Sequence, residues 1–134
     1  MKTLFITVVF LTQVLRFELA VTPDEKERGM MYRQNWGNID GMIFIHENPG
    51  NVYYWMKNTP LPMAMAFMDE EMNLKELYFP IPNSTTIVAS SNTNILYVME
   101  LKPGLTNLVF SRPDILKKKL LPELRKLQKR VRAH

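Results

Sequence analysis

The sequence predicts a mainly β protein, a compact sandwich or barrel of short strands. Three observations carry that expectation. Apolar and β-branched runs of strand length recur between residues 3 and 101. Polar turn clusters separate them at intervals of about eight to twelve residues, the rhythm of antiparallel β architectures. Helical patterning is confined to a short stretch after Thr22 and to the C-terminal tail.

Taken in order, residues 3–10 read as a first strand, rich in Val, Ile, Phe and Thr. Residues Val14 to Val21 read as a second. There Leu15, Phe17, Leu19 and Val21 alternate with Val14, Arg16, Glu18 and Ala20, as a half-buried strand requires. A helix start follows. Thr22 suits the N-cap, Pro23 the first turn, and Glu25 completes a T-x-x-E capping box. The helix should be short, Gly29 falls within it, and residues 36–41 read as loop. Met42 to Ile45 is a continuous apolar run, and Asn48-Pro49-Gly50-Asn51 reads as a turn into a strand from Val52 to Lys57. Those two strands are expected to form a hairpin. Further strands are expected at 63–69, 74–79, 85–89 and 95–101. Several are apolar on both faces, so both sides of a sheet need cover, and the short helix after Thr22 is one candidate.

At 134 residues and 46% hydrophobic content the chain can bury one core and is not disordered by composition. One domain is expected over residues 1–111, with a basic extension at 112–134. The extension carries nine Lys/Arg and two acids, a net +7, whereas the preceding 111 residues carry eight Lys/Arg and eleven acids, a net −3. Within it Leu120, Leu124, Leu127 and Val131 form one apolar helical stripe. Pro122 cannot sit in a continuous helix without distortion, so one short helix from Pro113 and a second from near Pro122 are expected. A solvated amphipathic helix is the plain reading of this segment. The functional alternative is an anionic partner, either nucleic acid or an anionic surface.

The chain has no cysteine, which excludes disulfides, thiolate metal sites and cysteine nucleophiles. Its two histidines, His46 and His134, cannot make a histidine-rich metal site, and no glycine motif for phosphate or dinucleotide binding is present. No metal and no cofactor is therefore expected. Residues Leu4 to Leu11 are too few to span a bilayer, so no transmembrane segment is expected there. A cytoplasmic setting is expected, with export through an N-terminal signal peptide as the alternative. Ten methionines suit irregular cores and adaptable binding walls alike.

The stretch with unusual chemistry is Tyr53-Tyr54-Trp55-Met56-Lys57-Asn58-Thr59. If extended, it puts Tyr53, Trp55 and Lys57 on one face and Tyr54, Met56 and Asn58 on the other. Glu100 falls on the face of its strand shared with Leu96 and Val98, and Arg28 and Arg33 flank Gly29-Met30-Met31. Buried charges require partners. The candidate ligand-binding set is therefore Arg28, Arg33, Trp55, Lys57, Asn58 and Glu100, lining a pocket for a small molecule. Strand-end charges in solvent are the plain alternative. No catalytic residue stands out. The enzymatic alternative casts Glu100 as general acid or base beside Lys57 or Arg33.

The segments Glu27-Arg28-Gly29-Met30-Met31-Tyr32-Arg33, Gly41-Met42-Ile43-Phe44, Trp55-Met56-Lys57-Asn58-Thr59 with Pro62, and Val98-Met99-Glu100 occur in order. Together they resemble domain-of-unknown-function family 192, whose hallmarks include G-M-x-F, W-M-K-N-T-x-x-P-L-D and V-L-E, over roughly residues 17–114. The resemblance implies a compact β fold of jelly-roll-like topology, no established activity, and frequent export among members. Two departures stand out. The family's Pro-Leu-Asp is Pro62-Met63-Ala64 here, and its later Gly-Asp is Pro113-Asp114. The lost carboxylate favours binding over catalysis.

Overall fold

The computed structural model describes residues 2–133, with the side chains of 131–133 outside that description. Eight strands run in the order β1 (Leu4–Phe10), β2 (Gln13–Ala20), β3 (Gly41–Gly50), β4 (Tyr53–Tyr54), β5 (Ala64–Met68), β6 (Leu74–Tyr78), β7 (Val88–Ala89) and β8 (Ile95–Leu101). Helix α1 (Pro23–Arg28) follows β2, and α2 (Thr106–Phe110), α3 (Pro113–Ile115) and α4 (Leu121–Ala133) follow β8. The mainly β class and the C-terminal helix are as the sequence predicts.

Six strands make one open sheet in the order β1-β2-β3-β8-β5-β6, and β4 pairs only with β7 in a separate ribbon. This strand order does not show the jelly-roll-like topology that the resemblance implies. Two sheets are present, but the second is too small to form half of a sandwich. β2 and β3 are parallel, so the chain between them must cross over. Helix α1 and residues 29–40 make that crossover. Its start is as expected: the Thr22 side chain accepts from the Glu25 N–H, and the Glu25 carboxylate accepts from the Thr22 N–H.

The expected hairpin between Met42–Ile45 and Val52–Lys57 does not form. β3 continues to Gly50, and its Gly41–Phe44 stretch pairs with β2 on one edge and β8 on the other, so Val52–Lys57 cannot pair there. The chain instead leaves the sheet and is tied to the loop before β8, with Val52 N–H donating to Ser90 Oγ at 2.9 Å and Ser90 N–H to Val52 O at 2.9 Å.

Both faces of the large sheet are covered. One core contains Phe10, Phe17, Ile43, Met68 and Met99, closed by Val109, Leu116, Leu120, Leu121 and Leu124 from the C-terminal helices. The stripe read from the sequence is thus internal at Leu120 and Leu124, with Leu127 packed at its edge. Val131 lies outside the described side chains. A π-helical turn at Leu116–Leu120 precedes Pro122, and the Leu121 N–H reaches back to Leu116 O, so the chain meets its proline by widening one turn rather than by breaking. The second core, on the opposite face, gathers Met30, Met42, Phe44, Met56, Met65, Phe67 and Val98 under α1 and the β4–β7 ribbon, with Tyr54 and Val88 packed against it.

Candidate functional site

Strand pairing builds the site from a single cross-strand row. Glu18 of β2, Met42 of β3, Glu100 of β8 and Met65 of β5 are successive register partners. The row faces the second core, so two carboxylates enter an apolar layer that cannot solvate them. Arg33, in the loop after α1, answers the first. Its guanidinium donates twice to the Glu18 carboxylate, at 2.9 and 2.8 Å, a bidentate geometry.

Glu100 has no such partner. It is only 4% exposed, and its Oε1 is buried without a hydrogen bond from any described residue. Burial pushes its carboxyl up to about 8, with the Arg33 charge pulling the other way. At neutral pH it is largely the neutral acid, able to donate one hydrogen bond. Gly41 permits the close approach of β3 to the β8 backbone at this point. A Cβ there would stand 2.7 Å from the Glu100 carbonyl oxygen.

Glu100 floors a cavity of about 330 Å³. One wall is the end of α1, with Lys26, Arg28, Met30 and Met31. Gly29 turns the chain there at φ 48°, and a Cβ at that position would press on the Phe44 ring at 3.2 Å. The opposite wall is the ribbon, with Tyr53, Tyr54, Trp55 and Thr59, while Phe44 and His46 of β3 close one end. His46 Nε2 lies 2.7 Å from Tyr54 Oη. Burial, aided by the Lys26 charge, holds His46 down to about 4, and burial raises the Tyr54 hydroxyl well above its usual value. Both groups are therefore neutral near pH 7.

The six predicted residues do not converge on one cavity. Arg28, Trp55 and Glu100 share the one just described. Lys57 and Asn58 lie outside its lining, in an adjoining groove that also borders Arg28 and Trp55. Arg33 borders a third hollow, beside Glu18 and Trp36. Lys57 is exposed, its Nζ 5.1 Å from the Trp55 ring centroid. Asn58 has a structural part. It sits at φ 55° in a turn closed by Thr59 N–H to Met56 O, and its side-chain amide donates to Tyr32 Oη at 3.0 Å. Asparagine tolerates that left-handed geometry better than most residues. The alternation read for residues 53–57 is seen in burial, with Tyr54 and Met56 inward and Tyr53, Trp55 and Lys57 outward. It ends at the Asn58 turn.

Lys26, His46 and Tyr54 were not in the predicted set. A signal for His46 existed: it continues the period-two face of Met42 and Phe44, the face that Glu100 shares across β8. The departure at Ala64 reads differently in three dimensions. Ala64 pairs with Leu101 and belongs to the helix-covered core, on the face opposite Glu100. Its missing carboxylate removes nothing from this cavity.

The profile of DUF192, described as Uncharacterized ACR, matches residues 7–110. The chain belongs to the DUF192 family. It is similar to the crystal structure of a candidate transcription regulator from Sinorhizobium meliloti 1021, at 30% identity and TM-score 0.67, covering 79% of this chain and 84% of that one. It is also similar to a protein of unknown function from Novosphingobium aromaticivorans DSM 12444, at 28% identity and TM-score 0.65, covering 84% of this chain and 79% of that one. No curated protein matches the chain. The DUF192 match takes in α2 and its Val109 but ends before α3, so Leu116, Leu120, Leu121 and Leu124, which also close the first core, lie beyond the matched region.

Proposed function

We propose that this DUF192 chain is a non-enzymatic small-molecule-binding β domain whose site is the cavity above Glu100. The supporting observation is the Glu100 carboxyl, buried at a cavity floor with one oxygen unpartnered among the described residues. A buried polar group left in this state costs about 1–3 kcal/mol, which a ligand group bonding to it would offset. The apolar and aromatic walls around a few polar groups fit small-molecule recognition. The enzymatic alternative casts Glu100 beside Lys57 or Arg33, but the Arg33 guanidinium is held by Glu18 and Lys57 is exposed in the adjoining groove.

A thermal-shift screen of metabolites against the wild type, Glu100→Leu and Trp55→Ala tests the proposal. Hits that shift the wild type and are lost in both variants support it. A screen without hits, or hits indifferent to both substitutions, overturns it.

The outward basic face of the tail supports a second reading, contact with an anionic partner. Lys118, Lys119 and Lys129 are exposed while the leucines of the same helical segment are buried. The description of the Sinorhizobium meliloti relative makes duplex DNA the first probe. Binding that weakens steeply with salt and with Lys118→Glu/Lys119→Glu supports this reading, and no binding at low salt rejects it.

A further inference from the structure

Two donors at the cavity have no hydrogen-bonded partner among the described residues, one at the exposed rim and one at the buried floor. The Arg28 guanidinium, on the last turn of α1, is exposed and makes no hydrogen bond among the described residues, although it lies near enough to Glu25 to feel its charge. Glu100, as the neutral acid, presents a hydroxyl with no acceptor. Lys26 is already engaged: its Nζ donates to the Ile45 carbonyl at 3.1 Å, and Glu47 answers its charge. Glu27 borders the same rim as Arg28 and places one negative charge there. Arg28 attracts an anionic group, while Glu27 beside it opposes each further negative charge, so one negative charge suits the rim better than two or more; a cation would be repelled by Arg28 and would offer the Glu100 hydroxyl no acceptor. Between these groups lie Met30, Met31, Phe44 and Trp55, which suit an apolar or flat body.

We propose that the cavity takes a small monocarboxylate, its carboxylate on Arg28 and a carbonyl or hydroxyl oxygen accepting from the Glu100 carboxyl. This inference rests on the cavity reading above and deepens it by naming the ligand class. Guanidinium and carboxylate match in a two-point fork. The second acceptor replaces the bond that Glu100 lacks. An acid with no second oxygen would leave the floor unsatisfied, so oxo and hydroxy acids are selected over simple fatty acids.

Isothermal titration calorimetry at pH 7 with pyruvate, levulinate and phenylpyruvate, each beside its methyl ester, provides the test, with phenethylamine and methyl phosphate as charge controls. At least one acid is expected to bind at least tenfold tighter than its ester. Arg28→Ala should remove at least tenfold of that affinity and Arg28→Lys should restore part of it. Because Arg28 is exposed, neither substitution threatens the fold. Glu100→Gln keeps a donor and should bind within a fewfold of wild type, whereas Glu100→Leu should lose at least tenfold. Esters, the amine or the phosphate binding as tightly as the acids, with Trp55→Ala still abolishing it, would overturn the ligand class and leave the cavity reading standing. An acid panel that does not bind also overturns the class, and the metabolite screen then decides the cavity reading separately.

Discussion

Glu18 and Glu100 stand in one cross-strand row with Met42 between them, and Arg33 is bonded to Glu18 alone. The same guanidinium satisfies one acid and is only felt by the other. That asymmetry gives two carboxylates on one sheet face different surroundings, one held by a guanidinium and the other buried with an unbonded oxygen.

Removing the shared cation tests this directly. Arg33→Met leaves Glu18, 9% exposed, without its bidentate partner. Loss of one member of a buried pair costs about 3 kcal/mol or more, somewhat less where one partner is partly solvated as Arg33 is. We expect a loss of about 2–3 kcal/mol in urea unfolding. The Glu100 carboxyl should also titrate at higher pH in the variant, because the Arg33 charge lowers it in the wild type. Carbon-13 NMR of the Glu100 carboxyl reads this shift, and an unchanged titration would disprove the coupling.

The raised Glu100 value sets a pH signature. Its folded value of about 8 lies above the ordinary 4.5. Between those values the native state binds more protons than the unfolded chain, so this contribution is complete below pH 4.5 and is lost as pH rises through 8. His46 acts in the opposite sense. Its folded value of about 4 lies below the ordinary 6.5, so its contribution is present above 6.5 and lost as pH falls through 4. Glu100→Gln removes only the first effect. The wild-type minus Glu100→Gln stability difference should fall steadily from pH 5 to 8, with the variant relatively most stable at the alkaline end. A flat difference would mean that Glu100 is not buried as described.

Local patterns were legible in the sequence and partnerships were not. The Thr22–Glu25 capping box is complete within four residues, so composition alone located α1. Strand parity grouped Glu100 with Leu96 and Val98; Val98 does share its core, but Leu96 packs on the opposite face, and parity left open whether the carboxylate was buried or solvated. The partner of Arg33 lies fifteen residues away on β2, and nothing local distinguishes an arginine bonded to Glu18 from one free for a ligand. The missing β3–β4 hairpin has the same origin. The turn residues Asn48–Asn51 are favourable locally, but β2 and β8 already occupy both edges of β3 over Gly41–Phe44. Lys57 and Asn58 were read as ligand groups because polar residues in an aromatic run are unusual, and Asn58 is accounted for by backbone geometry.

That account of Asn58 predicts a graded series. At φ 55° glycine is conformationally at ease, and a β-carbon residue without asparagine's tolerance is strained. Asn58→Gly should change stability little, because relief of the backbone offsets the lost bond to Tyr32. Asn58→Ala should cost about 1–2 kcal/mol by thermal or urea unfolding. Equal losses in both variants would place the importance of Asn58 in its side chain rather than in its turn.

The basic extension also carries a prediction, because its leucines complete the first core. Leu124 has no exposed surface and packs in the same cluster as Met68 and Met99 of the sheet. Leu124→Ala should therefore cost about 2–5 kcal/mol, as a core truncation does. Gln128 adds a polar clasp: its Nε2 donates to the carbonyls of His46 and Glu47, where β3 bulges between Ile45 and Gly50. Truncation after residue 111 would remove Leu116, Leu120, Leu121 and Leu124 together and uncover an apolar sheet face. The expected product is an aggregating or unfolded chain, read by circular dichroism and light scattering. A monomeric, cooperatively folded 1–111 fragment would show that the sheet and its opposite core suffice without the helices.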